Sequence, residues 1–181
     1  MIKKEVIFAG FGGQGILTIG KLLAYAAMDK GLNVSWLPSY GPEMRGGTAN
    51  CSVIISSEEV GSPVISEADA LIAMNKPSLD KFINSIKRDG ILVIDSDMIK
   101  EKINLEKIQV YKIDAETKAE GFGDKRNANM ILLGFLVEKL KIITIEELLA
   151  SVKIHGKKEH YNLNKEAIEF GAKEAKKYNT N

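Results

Sequence analysis

The stretch Val6-Ile7-Phe8-Ala9-Gly10-Phe11-Gly12-Gly13-Gln14-Gly15, with the residues from Ile16 to Met28 behind it, decides the fold. Val6 to Ala9 is wholly apolar, without the alternation of a half-exposed strand, as a central strand covered on both faces requires. The glycines interrupt it at once. Beyond them Ile16, Ile19, Leu22, Leu23, Ala26 and Ala27 recur at steps of three and four, which makes one buried helical stripe. Gly31 is placed to end that helix, and Val34 to Leu37 reads as a second strand. A strand, helix, strand succession closes as a right-handed parallel crossover.

The same alternation continues outward. Ala49 to Ile55 sets Ala49, Cys51, Val53 and Ile55 against Asn50 and Ser52, an additional hairpin-like strand with one more polar face, and Ser56 to Pro63 turns the chain back. Leu71 to Met74 is another buried strand, and the apolar run Ile91 to Ile94 and the segment Val110 to Ile113 read as a fourth and a fifth. Pro77 suits the first turn of a helix carrying Leu79, Phe82, Ile83 and Ile86 on one face. Ala128 to Leu140 and Ile145 to Val152 are helices, the second opened by a Thr144…Glu147 capping box. The lysine-rich tail from Lys165 to Tyr178 reads as a last surface helix. The expected fold is α/β and Rossmann-like: three layers, a mostly parallel sheet and an extra hairpin-like strand, in a single domain over residues 1–181.

Composition narrows the chemistry. Lys plus Arg (25) balance Asp plus Glu (24), so no overall field draws the chain to nucleic acid or to an anionic membrane. No apolar run reaches membrane-spanning length, which makes the cytoplasm the default. Cys51 is the single cysteine, which excludes an internal disulfide and any four-thiolate cluster built from this chain alone. It falls on the apolar side of its strand, as a small core residue does. His155 and His160 lack the thiols or carboxylates that complete a metal site and read as surface residues. Asp95 and Asp97 end a strand and read as caps for a short following helix.

Gly10 to Gly15 satisfy the G-x-G-x-x-G spacing between a strand and a helix, where backbone amides face an anion at the helix N-terminus. A tight turn with close strand–helix packing explains the same glycines. A dinucleotide site also needs an acid at the end of the second strand. That strand end, Trp36-Leu37-Pro38-Ser39-Tyr40, has none, and Glu43 lies beyond a proline turn, which argues against NAD. Gly15 to Lys21 has the spacing of a Walker A loop, but Leu22 stands where the magnesium-binding hydroxyl belongs, and these residues form the helical stripe.

The second loop, Ser39-Tyr40-Gly41-Pro42-Glu43-Met44-Arg45-Gly46-Gly47-Thr48, follows the second strand and so shares the carboxyl edge of the sheet with the first. Arg45 offers a planar fork of donors for phosphate or carboxylate, or else an internal ion pair with Glu43 or another acid.

Taken in order, these two loops, Val53-Ile54-Ile55-Ser56, Ala68-Asp69-Ala70-Leu71, Val93-Ile94-Asp95-Ser96 and Asn127-Ala128-Asn129-Met130 resemble the gamma subunit of 2-oxoacid:ferredoxin oxidoreductases over most of the chain. The Tyr40 to Gly47 form is most similar to the 2-oxoglutarate branch, with 2-oxoisovalerate and indolepyruvate relatives close to it. The resemblance implies a multi-subunit enzyme of anaerobic metabolism that oxidatively decarboxylates a 2-oxoacid to its acyl-CoA and passes electrons to ferredoxin. Thiamine diphosphate, magnesium and iron–sulfur clusters belong to partner alpha, beta and ferredoxin-like delta subunits. This chain then binds no cofactor by itself and carries no catalytic residue or metal. It shares coenzyme A with the complex through Gly12, Gly13, Gln14, Gly15, Arg45, Asn127 and Asn129. Simple helix capping accounts equally for the two asparagines. A free-standing Rossmann-like nucleotide-binding protein is the alternative. Self-association of the isolated chain, as a homodimer, fits the subunit reading.

Overall fold

A computed structural model describes residues 2–39 and 48–178. Along the chain run β1 (Lys3–Phe11), α1 (Ile16–Asp29), β2 (Asn33–Ser39), β3 (Thr48–Ser56), β4 (Ala68–Ala73), α2 (Lys76–Phe82), β5 (Ile86–Asp95), β6 (Gln109–Ile113), α3 (Ala115–Gly121), α4 (Ala128–Leu140), α5 (Ile145–His155) and α6 (Tyr161–Lys177). The strands form one six-stranded sheet in the order β2-β3-β1-β4-β5-β6. β1, β4, β5 and β6 are parallel neighbours, and β3 is antiparallel to both β1 and β2.

The sheet is thus mostly parallel, but the crossover expected to set β2 beside β1 does not do so. β2 runs in the same sense as β1, and β3 fills the place between them. The register explains why β3 takes that place: Val53 lies opposite Val6 and Cys51 opposite Phe8, so two apolar rows meet. The more polar row of β3 is covered as well, since Asn50, Ile54 and Ser56 are all buried. Gly20 of α1 lies directly over it, where an added Cβ overlaps the Cys51 sulfur.

One face of the sheet carries α1, α4, α5 and α6 over a continuous apolar core. α4 is buried from Ala128 to Val137, and α6, expected at the surface, buries Asn164, Ala167, Ile168, Gly171, Ala172 and Ala175. The other face is covered by α2 and by Ile99, Ile103, Leu105 and Ile108 of the segment before β6. Ile86 does not continue the α2 stripe. The helix stops at Phe82, a 3₁₀ turn spans Ile83–Ser85, and Ile86 opens β5 by pairing with Ala68.

Local signals act as their chemistry dictates. Gly31, at φ +86°, ends α1 with Leu32 N–H donating to Ala27 O and Gly31 N–H to Met28 O, a Schellman closure. The Thr144/Glu147 capping box opens α5, and Lys30 reaches across from the end of α1 to the Glu147 carboxylate at 3.0 Å. At the amino edge Asp69 accepts the Glu5 amide at 2.7 Å, and Lys87 donates to both Glu5 and Asp69. Burial alone pushes Lys87 down, but these two carboxylates outweigh it and hold the ammonium above its usual range. Asp69 therefore ties strands together at the end of the sheet remote from the glycine loop.

Candidate functional site

The glycine loop leaves β1 at the carboxyl edge and turns through a Gln14 N–H bond to Phe11 O at 3.2 Å. Gly13 and Gly15 have φ of +96° and +72°, where a side chain is strained, and Gly12 and Gly13 are exposed. Gln14 points inward. Its Oε1 accepts the Phe11 amide at 2.7 Å and the Asn75 side chain at 3.2 Å, and its Nε2 donates to Met74 O at 3.4 Å. Gln14 braces the loop against the end of β4. Gly15 caps α1 without a side chain, and no acidic residue stands in the first turn. The N-terminal amides and the positive end of this helix are left for an anion.

α4 brings the asparagine motif to the same rim. Asn129, buried in the first turn, donates to Gly15 O at 3.3 Å. Asn127, at the helix boundary, makes no side-chain cap, and its Nδ2 is buried without a partner among the described residues. Capping therefore explains neither side chain. The 3₁₀ turn before α4 is capped by Asp124, which accepts the Arg126 amide at 2.9 Å. Asp124 also takes three bonds from the guanidinium, at 3.0, 2.9 and 2.6 Å, and Arg126 holds its carboxyl down at about 2. Arg126 Nη1 carries no bond among the described residues.

Two clefts meet at Gly13 and Arg126. The larger, about 380 Å³, runs past Gly15, Asn127, Lys157 and Asn164. The smaller, about 160 Å³, lies toward Met74, Glu116 and Lys125. Lys125, Arg126 and Lys157 bring positive charge to this rim, with His160 beside them, and sequence reasoning did not select these four as site residues. The Lys125-Arg126 pair directly before the Asn-Ala-Asn motif was the available signal. Arg45, with the rest of Tyr40 to Gly47, lies outside the described residues. The frame around it is informative, because Thr48 pairs with Phe11 at the mouth of the glycine loop. Only Gly46 and Gly47 stand between Arg45 and Thr48 in the sequence, and three Cα steps span about 11 Å at most.

At the end of β5 the two aspartates cap a helix, but a distant one. Asp95 Oδ1 accepts the Ala115 amide at 3.3 Å and Asp97 accepts the Thr117 amide at 2.8 Å, which satisfies the first turn of α3. Asp95 is fully buried, and its Oδ2 has no partner among the described residues. Burial is the main cause that pushes its carboxyl up from 3.8 to about 6. A raised acid pKa favours the protonated native state, so stability falls as pH rises from about 4 to about 6 and stays low above it. Asp95→Asn is expected to flatten that slope and to remove a penalty of at most about 3 kcal/mol at pH 7. Urea melts of both proteins at pH 4.5 and pH 7 check this. An equal pH dependence in the variant contradicts it.

Cys51 sits in the core, where burial pushes its thiol up to about 12. Gly15 to Lys21, the near match to a phosphate loop, is helix from Ile16 onward. His155 is held at the junction of α1 and α5, stacked on Tyr25 at 4.1 Å and bonded to Asp29 at 3.2 Å. No helix among the described residues is long and apolar enough to cross a membrane.

The family model for pyruvate ferredoxin/flavodoxin oxidoreductase matches residues 5–174. Ketoisovalerate oxidoreductase subunit VorA of Methanothermobacter marburgensis is 40% identical over 179 residues, which cover 96% of this chain and 37% of VorA. The chain thus spans little more than a third of the length of that relative. 2-Oxoglutarate synthase subunit KorC of Methanothermobacter thermautotrophicus is 34% identical over 84% of each chain. Among solved structures, the gamma subunit of the keto/oxoacid ferredoxin oxidoreductase of Geobacter sulfurreducens PCA has a TM-score of 0.85 and 30% identity, covering 96% of this chain and 99% of that one. A chain of the 2-oxoglutarate:ferredoxin oxidoreductase of Magnetococcus marinus, with 2-oxoglutarate, coenzyme A and succinyl-CoA bound, has a TM-score of 0.87 and 28% identity. The match covers 98% of this chain and 32% of that one. With a family match from the first buried residue of β1 to the last turn of α6, and a full-length likeness to a gamma subunit, the chain belongs to the pyruvate ferredoxin/flavodoxin oxidoreductase family, as its gamma-subunit domain.

Proposed function

We propose that this chain is the gamma subunit of a 2-oxoacid:ferredoxin oxidoreductase and that its carboxyl edge serves the coenzyme A half of the reaction. One observation carries the reading: the uncapped N-terminus of α1 opens onto exposed Gly12 and Gly13, with Arg126 beside them. Amides of Gly12, Gly13 and Gly15 receive a pyrophosphate there, and Arg126 and Arg45 supply the charge. Asn129 fixes the loop through Gly15. The Magnetococcus marinus relative, which was solved with coenzyme A and succinyl-CoA, supports that ligand class. Thiamine diphosphate, magnesium and the iron–sulfur clusters then reside on alpha, beta and ferredoxin-like delta subunits in the cytoplasm, with ferredoxin as the acceptor. When bound, coenzyme A supplies the thiol that accepts the acyl group.

The motif from Tyr40 to Gly47 favours 2-oxoglutarate as substrate. A branched-chain 2-oxoacid is the second reading, favoured by 40% identity to VorA against 34% to KorC. Turnover of the native complex on each acid separates the two.

The test of the site is the reconstituted complex with coenzyme A varied at saturating oxoacid. Arg45→Ala and Arg126→Ala are each expected to weaken apparent coenzyme A affinity ten- to a hundredfold, about 1.5–3 kcal/mol for one charge-assisted contact, and to leave oxoacid dependence nearly unchanged. Lysine at either position recovers only part, because it keeps the charge and loses the fork. An unchanged coenzyme A dependence in both assembled variants removes this rim from the reaction. Failure to assemble makes the arginines interface residues instead.

A further inference from the structure

We infer that Asn75, which no motif in the sequence singles out, is a positioning residue that sets the shape of the glycine loop for an anion. Between Phe11 and Ile16 the loop has a single side chain, that of Gln14, because Gly12, Gly13 and Gly15 have none. Gln14 is thus the one side-chain handle the loop offers. Glycine loses more freedom than any other residue when a turn is fixed, and Gly13 and Gly15 are both held at positive φ. Such a loop needs an external hold if its amides are to face an anion before one arrives.

Asn75 supplies that hold from a rigid seat. It stands just beyond the end of β4, only 1% exposed, and is the N-cap of α2. Its Oδ1 accepts the Ser78 amide at 2.9 Å, and its carbonyl accepts the Leu79 amide at 3.1 Å. The neighbouring backbone leaves both carboxamides one orientation, because the Ser78 and Phe11 amides can only donate and Met74 O can only accept. Oδ1 of Asn75 therefore faces Ser78, and Oε1 of Gln14 faces Phe11. That turns Nδ2 of Asn75 onto Oε1 of Gln14 at 3.2 Å and Nε2 of Gln14 onto Met74 O. Gly10 leaves room for the arrangement, since a Cβ there would lie 2.8 Å from Oε1. Asn129 holds Gly15 O from the α4 side, so the loop is clamped from both flanks. The inference rests on the anion site proposed above and adds the residue that fixes its geometry.

Asn75→Asp separates positioning from folding. Aspartate caps α2 as well as asparagine does, but it offers Oε1 of Gln14 an acceptor in place of a donor. Turning the Gln14 carboxamide over does not help, because Nε2 would then oppose the Phe11 amide and Oε1 would oppose Met74 O. The full chain is expected to keep its urea midpoint, to exchange the Phe11 amide about tenfold faster, and to bind pyrophosphate about tenfold more weakly in isothermal titration. In the reconstituted complex the KM for coenzyme A should rise by a similar factor, with kcat and the oxoacid KM nearly unchanged. Asn75→Ser, a cap too short to reach Gln14, should do the same and carries the test if the aspartate variant does not fold. Unchanged Phe11 exchange or unchanged pyrophosphate affinity in a folded variant overturns the inference. So does a loss of kcat and stability at constant KM, the mark of a packing residue. The coenzyme A reading fails separately. Faster Phe11 exchange and weaker pyrophosphate binding, beside a coenzyme A dependence indifferent to Asn75 and Arg126 alike, keep the role of Asn75 and reject coenzyme A as the ligand. A coenzyme A dependence that follows Arg126, while Phe11 exchange and pyrophosphate affinity ignore both Asn75 variants, keeps that reading and overturns the inference.

Discussion

Gly171→Val is expected to remove at least about 4 kcal/mol of stability, a large share of the roughly 5–15 kcal/mol that holds an ordinary domain folded. α4 and α6 meet backbone to backbone: a Cβ on Gly171 overlaps the Ile131 carbonyl and lies 2.9 Å from the Phe135 amide. A Cβ on Gly134 overlaps the Ile168 carbonyl in the reciprocal contact. Carbonyls of a helix cannot step aside as a side-chain tip does. The helices must separate, and the buried stripe of Ile131, Phe135, Ile168 and Ala175 loses contact along its length. In an open helix, alanine in place of glycine stabilises by about 1 kcal/mol. Gly171→Ala therefore tests the seam by sign alone. A lower urea midpoint at unchanged slope supports it, and a variant as stable as the parent rejects it.

Gly13→Val should weaken coenzyme A use by the complex on the order of a hundredfold, about 2.7 kcal/mol. Gly13 borders both clefts, and no atom lies within 4 Å of a Cβ built on it, so a valine projects into the space a phosphate needs. The backbone also resists, since φ of +96° is strained for a branched side chain by about 1–3 kcal/mol. Gly13→Ala separates the two effects, because it meets much of the same strain without the bulk. A coenzyme A defect much larger in valine than in alanine, at similar melting temperatures, is the expected pattern. If the defect follows stability in both, the loop serves packing only.

What the sequence made legible was local. The run from Val6 through the glycines to the stripe of α1 specifies a strand, a turn and a helix without reference to any other residue, and α4 begins and ends where its periodicity places it. The position of β3 was not legible, because it depends on a pairing between Val6 and Val53 that alternation within either strand does not contain. α3 buries only Ala115 and Ala119, too short a stripe to show. α6 escaped for a related reason: its buried face is made largely of alanine and glycine, which read as weakly apolar but allow the closest helix approach. At the site, the motif from Asn127 to Met130 located the rim correctly and left the roles undecided. Asn129 turned out to hold the loop, Asn127 to face the cleft, and Gln14 to bind its own turn.

That brace by Gln14 bears on which ligands the fold admits. β1 and β4 are adjacent and parallel, and the helices that follow them leave to opposite faces of the sheet, α1 to one and α2 to the other. In doubly wound sheets the divergence opens a central crevice that a two-lobed cofactor straddles. Here the crevice is stapled shut, with Gln14 bonded to Asn75 and to Met74 across it. Protein occupies the saddle point itself. The ligand proposed for this rim would therefore lie to one side, along the α4 and α6 flank, and leave the α2 flank free. The outline of a dinucleotide fold survives in this chain as a one-sided bracket, able to hold one arm of a long molecule while the other arm extends beyond it.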